Sequence, residues 1–210
     1  MDGLASYASG PAATTRATAA ALAKTDRARA IILVEGISDQ IALETLAVRR
    51  GRDLGAEGVV ILPIGGIHAI KRYLRQFGPE GADVRVAGLC DAGEEEFLRR
   101  SLAVARFGSP QTRTDMARLG FHVCVEDLED ELIRAVGAER VTELFDTHGD
   151  RKSFRSMQGQ PAWRGRNAEA QMRRYLGAGS ARKLRYARLL TEAVDLPRVP
   201  RPLDAVLAGV

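Results

Sequence analysis

Four short apolar runs set the rhythm of the chain. Residues 31–34 and 59–62 are continuous, and 84–89 and 121–125 are broken only by Arg85 and His122. That pattern predicts strands covered on both faces, which need no polar alternation. Between them apolar residues recur at helical spacing: Ile41, Leu46 and Val48 after the first run, and Ile70, Tyr73, Leu74 and Phe77 after the second. A helix with an acidic first turn is predicted over residues 94–104, and a short helix or turn over 114–120. Strand–helix units at this rhythm predict right-handed crossovers and an α/β fold: a Rossmann-like, mostly parallel sheet of about four strands flanked by helices. The order of the strands is not legible in the pattern.

From Leu128 onward the periodicity is helical. Leu128, Leu132, Ile133 and Val136 form one stripe, closed by Gly137, and Val141, Leu144 and Phe145 form a second, closed by Gly149. Residues 151–167 read as a basic, irregular piece, followed by helices over 168–176 and 181–194. A final segment with three prolines and a short apolar helix is expected to pack back on the body. Three regions result: an Ala-rich lead-in over 1–29, flexible or loosely docked; an α/β core over 30–136; and a helical, basic C-terminal extension over 137–210, packed on that core.

Composition narrows this picture only a little. The chain is 45% hydrophobic and 28% charged, with a net charge of +4, ordinary values for a globular domain. No apolar run approaches the roughly 18–20 residues that span a bilayer, and the N-terminus lacks the order of a signal peptide, so a cytoplasmic protein without membrane contact is expected. Cys90 and Cys124 each end an apolar run and read as buried thiols. His68, His122 and His148 show no zinc-binding spacing. The distribution of charge says more than its sum. Residues 151–188 hold eleven Lys or Arg and one acid, whereas residues 91–131 hold ten acids and five bases.

The acids fall at corresponding places. Glu35 ends the first strand, Gly36 lets the backbone turn, and Ser38 or Asp39 is placed to cap the next helix. Asp91, with Glu94 and Glu95, follows the third strand, and Asp127 and Glu129 follow the fourth. In a parallel sheet those ends share one edge, where α/β folds place their ligands. Clustered carboxylates repel unless protons or cations offset them. Hard oxygen donors select Mg²⁺ or Mn²⁺ over Zn²⁺, and two such ions bind both the attacking and leaving oxygens in phosphodiester chemistry.

Leu33-Val34-Glu35-Gly36-x-Ser38-Asp39 on the first strand, with Asp91 after the third, resembles the Toprim domain of topoisomerases, primases and the overcoming-lysogenization-defect (OLD) nucleases. Leu128-Glu129-x-Glu131-Leu132-Ile133 and the later Gly179-Ser180-x-x-Lys183 look most like the OLD branch. The resemblance implies metal-dependent hydrolysis of DNA by a stand-alone nuclease or nickase. It implies that Glu35, Asp39, Asp91, Asp127 and Glu129 hold Mg²⁺ or Mn²⁺, that Glu35 and Asp91 are catalytic, and that Lys183 offsets charge on the scissile phosphate. Two departures stand out. Gly93 replaces the second acid of the family's Asp-x-Asp, so a ligand is missing unless Glu94 or Glu95 reaches in. No phosphate-binding Gly-x-x-x-x-Gly-Lys-Ser/Thr loop occurs, so ATP-driven control would need a separate ATPase polypeptide.

Arg164, Arg166, Arg173, Arg174, Arg182 and Arg185 are the candidates for sequence-independent contacts to the DNA backbone. Trp163 is placed either to stack a base or to anchor its segment. Gly65-Gly66 reads as a tight turn, with His68 and Tyr186 as packing residues. Two other functions fit the same residues: a degenerate module that binds nucleic acid or a partner without chemistry, and a nucleotidyl transferase or nucleotide phosphohydrolase.

Overall fold

The computed structural model describes residues 12–210. In chain order they form α1 (Ala13–Leu22), β1 (Ala30–Val34), α2 (Ile37–Arg49), β2 (Val59–Pro63), α3 (Ile70–Phe77), β3 (Arg85–Cys90), α4 (Glu95–Val104), α5 (Arg113–Arg118) and β4 (Phe121–Val123). Six helices follow: α6 (Leu128–Val136), α7 (Ala138–Thr147), α8 (Arg151–Gln158), α9 (Ala168–Gly177), α10 (Ser180–Ala193) and α11 (Arg201–Ala208).

The four strands are all parallel, in the order β2-β1-β3-β4. Alternate residues of each strand enter different cores. Ile32 and Val34 of β1 pack with α2, α6, α10 and α11 on one face, while Ile31 and Leu33 pack with α3, α4 and α5 on the other. Both faces are therefore apolar, which is why the strands read as nearly unbroken hydrophobic runs. The chain leaves β1 toward β2, then returns past β1 to β3 and continues outward to β4. The carboxyl ends of β1 and β3 thus flank the point where the winding reverses, the place at which an open α/β sheet forms a crevice.

Three local outcomes differ from the sequence reading. β4 is two residues shorter than its apolar run, because the Glu131 carboxylate takes the Val125 N–H at 2.7 Å in place of a ladder partner. Residues 151–158 are helical rather than irregular. Their one buried apolar residue, Phe154, docks against Phe145 and Tyr175 with ring centroids 4.8 and 5.3 Å apart, and that tertiary cluster outweighs a weak local pattern. Gly36, not Ser38 or Asp39, is the N-cap residue of α2; Asp39 reaches back from inside the first turn to accept the Gly36 N–H at 2.9 Å.

The part of the Ala-rich lead-in within the described residues carries α1, whose Thr18 hydroxyl donates to the Pro63 carbonyl at 2.6 Å and whose Ala13 and Ala21 are buried. Residues 1–11 of that lead-in lie outside the described residues. Among the described residues no helix is long and apolar enough to cross a membrane. Cys90 and Cys124 are free and buried.

Close packing between β3 and β4 depends on Gly88. A Cβ there would sit 2.8 Å from the Phe121 ring and 3.2 Å from the Leu33 carbonyl oxygen. Overfilling a core costs about 1–3 kcal/mol. Gly88→Ala is therefore expected to destabilise the protein by about 2 kcal/mol, read as a lower urea midpoint at unchanged slope.

Candidate metal and phosphate site

The site is built at the crevice between β1 and β3. Glu35 follows β1, and its backbone is pinned from the neighbouring turn: the N–H groups of Gly65 and Gly66 both donate to the Glu35 carbonyl, at 3.1 and 3.2 Å. Both glycines have positive φ, 77° and 108°, a conformation that admits this turn without a Cβ penalty. Their amides therefore position Glu35 and face no phosphate. Asp91 leads out of β3, and Asp39 lies on the first turn of α2. Glu129 lies on the first turn of α6 and is buried to 6% exposure.

Lys183 arrives from the C-terminal half. On α10, Leu184 and Ala187 pack against Ile37 and Ile41 of α2. Arg49 of α2 donates to the carbonyls of Thr191 and Val194, at 2.7 and 2.6 Å, locking the far end of α10. This seating holds the Lys183 ammonium 3.3 Å from Glu129 Oε2.

Electrostatics tie the group together. Burial, then Asp39, Glu35, Asp127 and Glu129, push Asp91 up to about 8. Burial raises Glu129 to about 7 against the pull of Lys183. Glu35 is raised by burial, Asp39 and Glu94, and Asp39 is raised mainly by burial. Burial opposes the charge of Lys183, but Glu129 and Asp39 outweigh it and hold the ammonium above its usual range. The Lys183 ammonium thus acts on half-buried Glu35, Asp39 and Asp91 as well as buried Glu129, and Glu129 Oε1 is buried with no hydrogen-bond partner among the described residues.

A hard divalent cation fits this donor set, since it would offset the repulsion and take the orphaned oxygen. The side chains are not a ready-made cage: among the described residues no three His, Cys, Asp or Glu side chains are grouped as metal ligands.

The remaining predicted residues divide clearly. Asp127 has both oxygens engaged, one capping α6 by accepting the Asp130 N–H at 2.8 Å and one accepting from Arg173 Nε at 2.6 Å. It lies beside the site as a cap and ion-pair partner. Glu95 is paired with Arg113 at 2.8 Å, which leaves Glu94, whose charge acts on Glu35, as the acid placed to substitute for the one missing at Gly93. Arg182 and Arg185 turn to Asp150, not outward: Arg185 pairs with Asp150 Oδ2, and Arg182 lies 3.9 Å from Oδ1 with its guanidinium 3.8 Å above the Tyr175 ring. Arg174 lies 5.9 Å from the half-buried Trp163 ring, Arg164 donates to the Gly159 carbonyl, and Arg166 is exposed.

Comparison with known proteins bears on the fold that carries these residues. The family model for the overcoming lysogenization defect protein-like TOPRIM domain matches residues 28–92. Residues 28–92 form an OLD-like Toprim domain. That match takes in Glu35, Asp39 and Asp91 and stops before Glu129 and Lys183. The C-terminal region of the Xanthomonas campestris pv. campestris OLD protein is similar in structure, with a TM-score of 0.71 at 21% identity, covering 89% of this chain and 94% of that one. The C-terminal region of the Burkholderia pseudomallei OLD protein gives a TM-score of 0.65 at 20% identity, covering 87% and 96%. At that identity the likeness extends the Toprim fold over nearly the whole chain without transferring chemistry. No curated protein matches in sequence.

Proposed function

We propose that the chain hydrolyses phosphodiester bonds of DNA with Mg²⁺ or Mn²⁺, as a nuclease or nickase. What supports this reading is that Glu35 and Asp39, Asp91, and Glu129, from three stretches of sequence, act electrostatically on one another and on the Lys183 ammonium, which lies 3.3 Å from Glu129. Glu35, Asp91, Asp39 and Glu129 would hold the ions, with Glu94 in reserve for the acid lacking at Gly93. Bound there, the ions would supply Lewis acidity and lower the pKa of water.

The chain's own groups do the rest. Glu35, beside the attacking water, accepts its proton. Lys183 exchanges its pairing with Glu129 for the non-bridging oxygens as charge builds on them, and the ester oxygen departs as the new bond forms, taking a proton from solvent water to leave as the alcohol. Arg173 keeps Asp127 neutralised beside the site.

Supercoiled plasmid with Mg²⁺ or Mn²⁺ tests the reading. Wild type is expected to give open circles, EDTA to stop the reaction, and Glu35→Ala to slow it by at least about 100-fold. Absence of nicking by wild type, or equal nicking by Glu35→Ala, would reject it. One observation favours a second reading, a binding module without chemistry: Gly93 stands in open space at the position of the lost acid. Calorimetric titration with Mn²⁺ separates the two, since binding that vanishes in Asp91→Ala counts against the degenerate module.

A further inference from the structure

A second charged feature lies beside β4, the edge strand of the sheet. A groove of about 830 Å³ runs between that edge and the segment leading into α11, and it is lined by Arg113, Arg134, Arg198 and Arg201. All four arginines are exposed. The single acid in its wall, Glu131, is spent on the Val125 N–H and on Arg134 at 2.9 Å. Arg113 is paired with Glu95 and Arg134 with Asp130. Arg198 and Arg201 differ: neither guanidinium has an ion-pair partner among the described residues. Burial and then the charge of Arg201 hold His122, in the same wall, below its ordinary range, so the positive charge there belongs to the arginines.

Two further facts give the groove direction and rigidity. Its wall is tied to the segment that follows Asp91: Arg113 pairs with Glu95, and the Ala92 N–H donates to the Glu126 carbonyl at 3.0 Å, beside Val125 in the groove wall. Pro197, Pro200 and Pro202 bracket Arg198 and Arg201 and restrict their backbone before any ligand arrives, which lowers the entropy lost on binding.

We propose that this groove is the track for the DNA backbone leaving the carboxylate site, with Arg198 and Arg201 each neutralising a phosphate. The proposal rests on the nuclease reading for its direction and extends it by assigning the substrate path to the β4 edge. Arg182 and Arg185, two of the six arginines expected from the sequence to contact the backbone, are tied to Asp150 instead.

Fluorescence anisotropy of a labelled DNA duplex, titrated with full-length protein over a range of NaCl concentrations and without divalent ion, tests it. Arg198→Ala/Arg201→Ala is expected to weaken binding at least about tenfold. It should also make the log K against log salt slope shallower by about 1.8, at about 0.9 per phosphate. Arg198→Lys/Arg201→Lys keeps most of the affinity, and Arg140→Ala, outside the groove, binds as wild type. Arg198→Gln/Arg201→Gln provides the same reading should the alanine pair fold poorly. Unchanged affinity and slope in the neutralised pairs overturn the proposal. So does unchanged DNA binding together with lost binding of a polyglutamate peptide, which would assign the groove to an acidic polypeptide. Because binding is read without cleavage, an inactive carboxylate site leaves the result intact, and failure of the groove leaves the Glu35→Ala result intact.

Discussion

Asp91→Asn is expected to raise the melting temperature of the metal-free protein while abolishing nicking. The carboxyl of Asp91 is pushed from 3.8 to about 8 by burial and by Asp39, Glu35, Asp127 and Glu129. A carboxylate whose folded pKa is raised binds more protons in the native state than in the unfolded one. Its effect on stability is therefore nil below the unfolded pKa, and it becomes increasingly unfavourable as pH rises toward the folded pKa. Wild type should lose stability steadily between about pH 4 and about pH 8, with Glu129, raised to about 7, adding to the trend. The neutral amide removes the share of Asp91, so the variant is expected to melt above wild type at pH 8 and to match it more closely at pH 5. Mn²⁺ should reverse the order: it stabilises wild type by binding the native state and adds little to the variant. Calorimetric scans at pH 5 and pH 8, with and without Mn²⁺, check all four expectations. A variant that melts below wild type at pH 8 without metal would show that Asp91 is not repelled by its neighbours.

Asp150→Ala should strongly destabilise the C-terminal half. Asp150 joins the α7–α8 corner to α9 and α10. Tyr186 donates to Oδ2 at 2.7 Å, Tyr175 to Oδ1 at 3.1 Å, and Arg185 completes the cluster. Its side chain is only 13% exposed. Burial opposes ionisation, but the two tyrosines and the two arginines outweigh it and hold the carboxyl below its ordinary value. Removing the acceptor strands a buried hydroxyl and a guanidinium whose Nε already lacks a partner. About 3 kcal/mol is expected to be lost, equivalent to about 6–12 °C. Because the folded pKa is depressed, this contribution is complete above the unfolded value of 3.8 and disappears as pH falls below it, so the gap between wild type and variant closes in acid. Lys183 lies between Arg182 and Arg185 on the same helix, so plasmid nicking should fall as well. Asp150→Asn, which keeps an acceptor for the tyrosines, should lose about 1 kcal/mol.

Much of the fold was legible because its strands are buried on both faces. Continuous apolar runs, glycine turns and 3.6-residue stripes are local signals, and they placed the sheet, its parallel sense and most helices. The acids at strand ends were legible for the same reason: once a sheet is parallel, Glu35 and Asp91 must share an edge. The short helix at Arg151–Gln158 was not legible, since its only anchor, Phe154, gains meaning through Phe145 and Tyr175. The roles of the arginines were not legible either. A run of positive charge has no direction in sequence, and only packing decides that Arg182 and Arg185 turn inward to Asp150 while Arg198 and Arg201 face solvent.

By itself, then, the sequence determined the α/β class, the edge on which the acids stand and the identity of Glu35, Asp39 and Asp91 as a group, all consequences of burial patterns that repeat within a few residues. Only the tertiary structure decided the strand order β2-β1-β3-β4, the engagement of Asp127 by α6 and Arg173, the arrival of Lys183 beside Glu129, and the groove at the β4 edge. Each of these depends on contacts between segments far apart in the chain, where side-chain direction is set by packing and by the cost of burying charge.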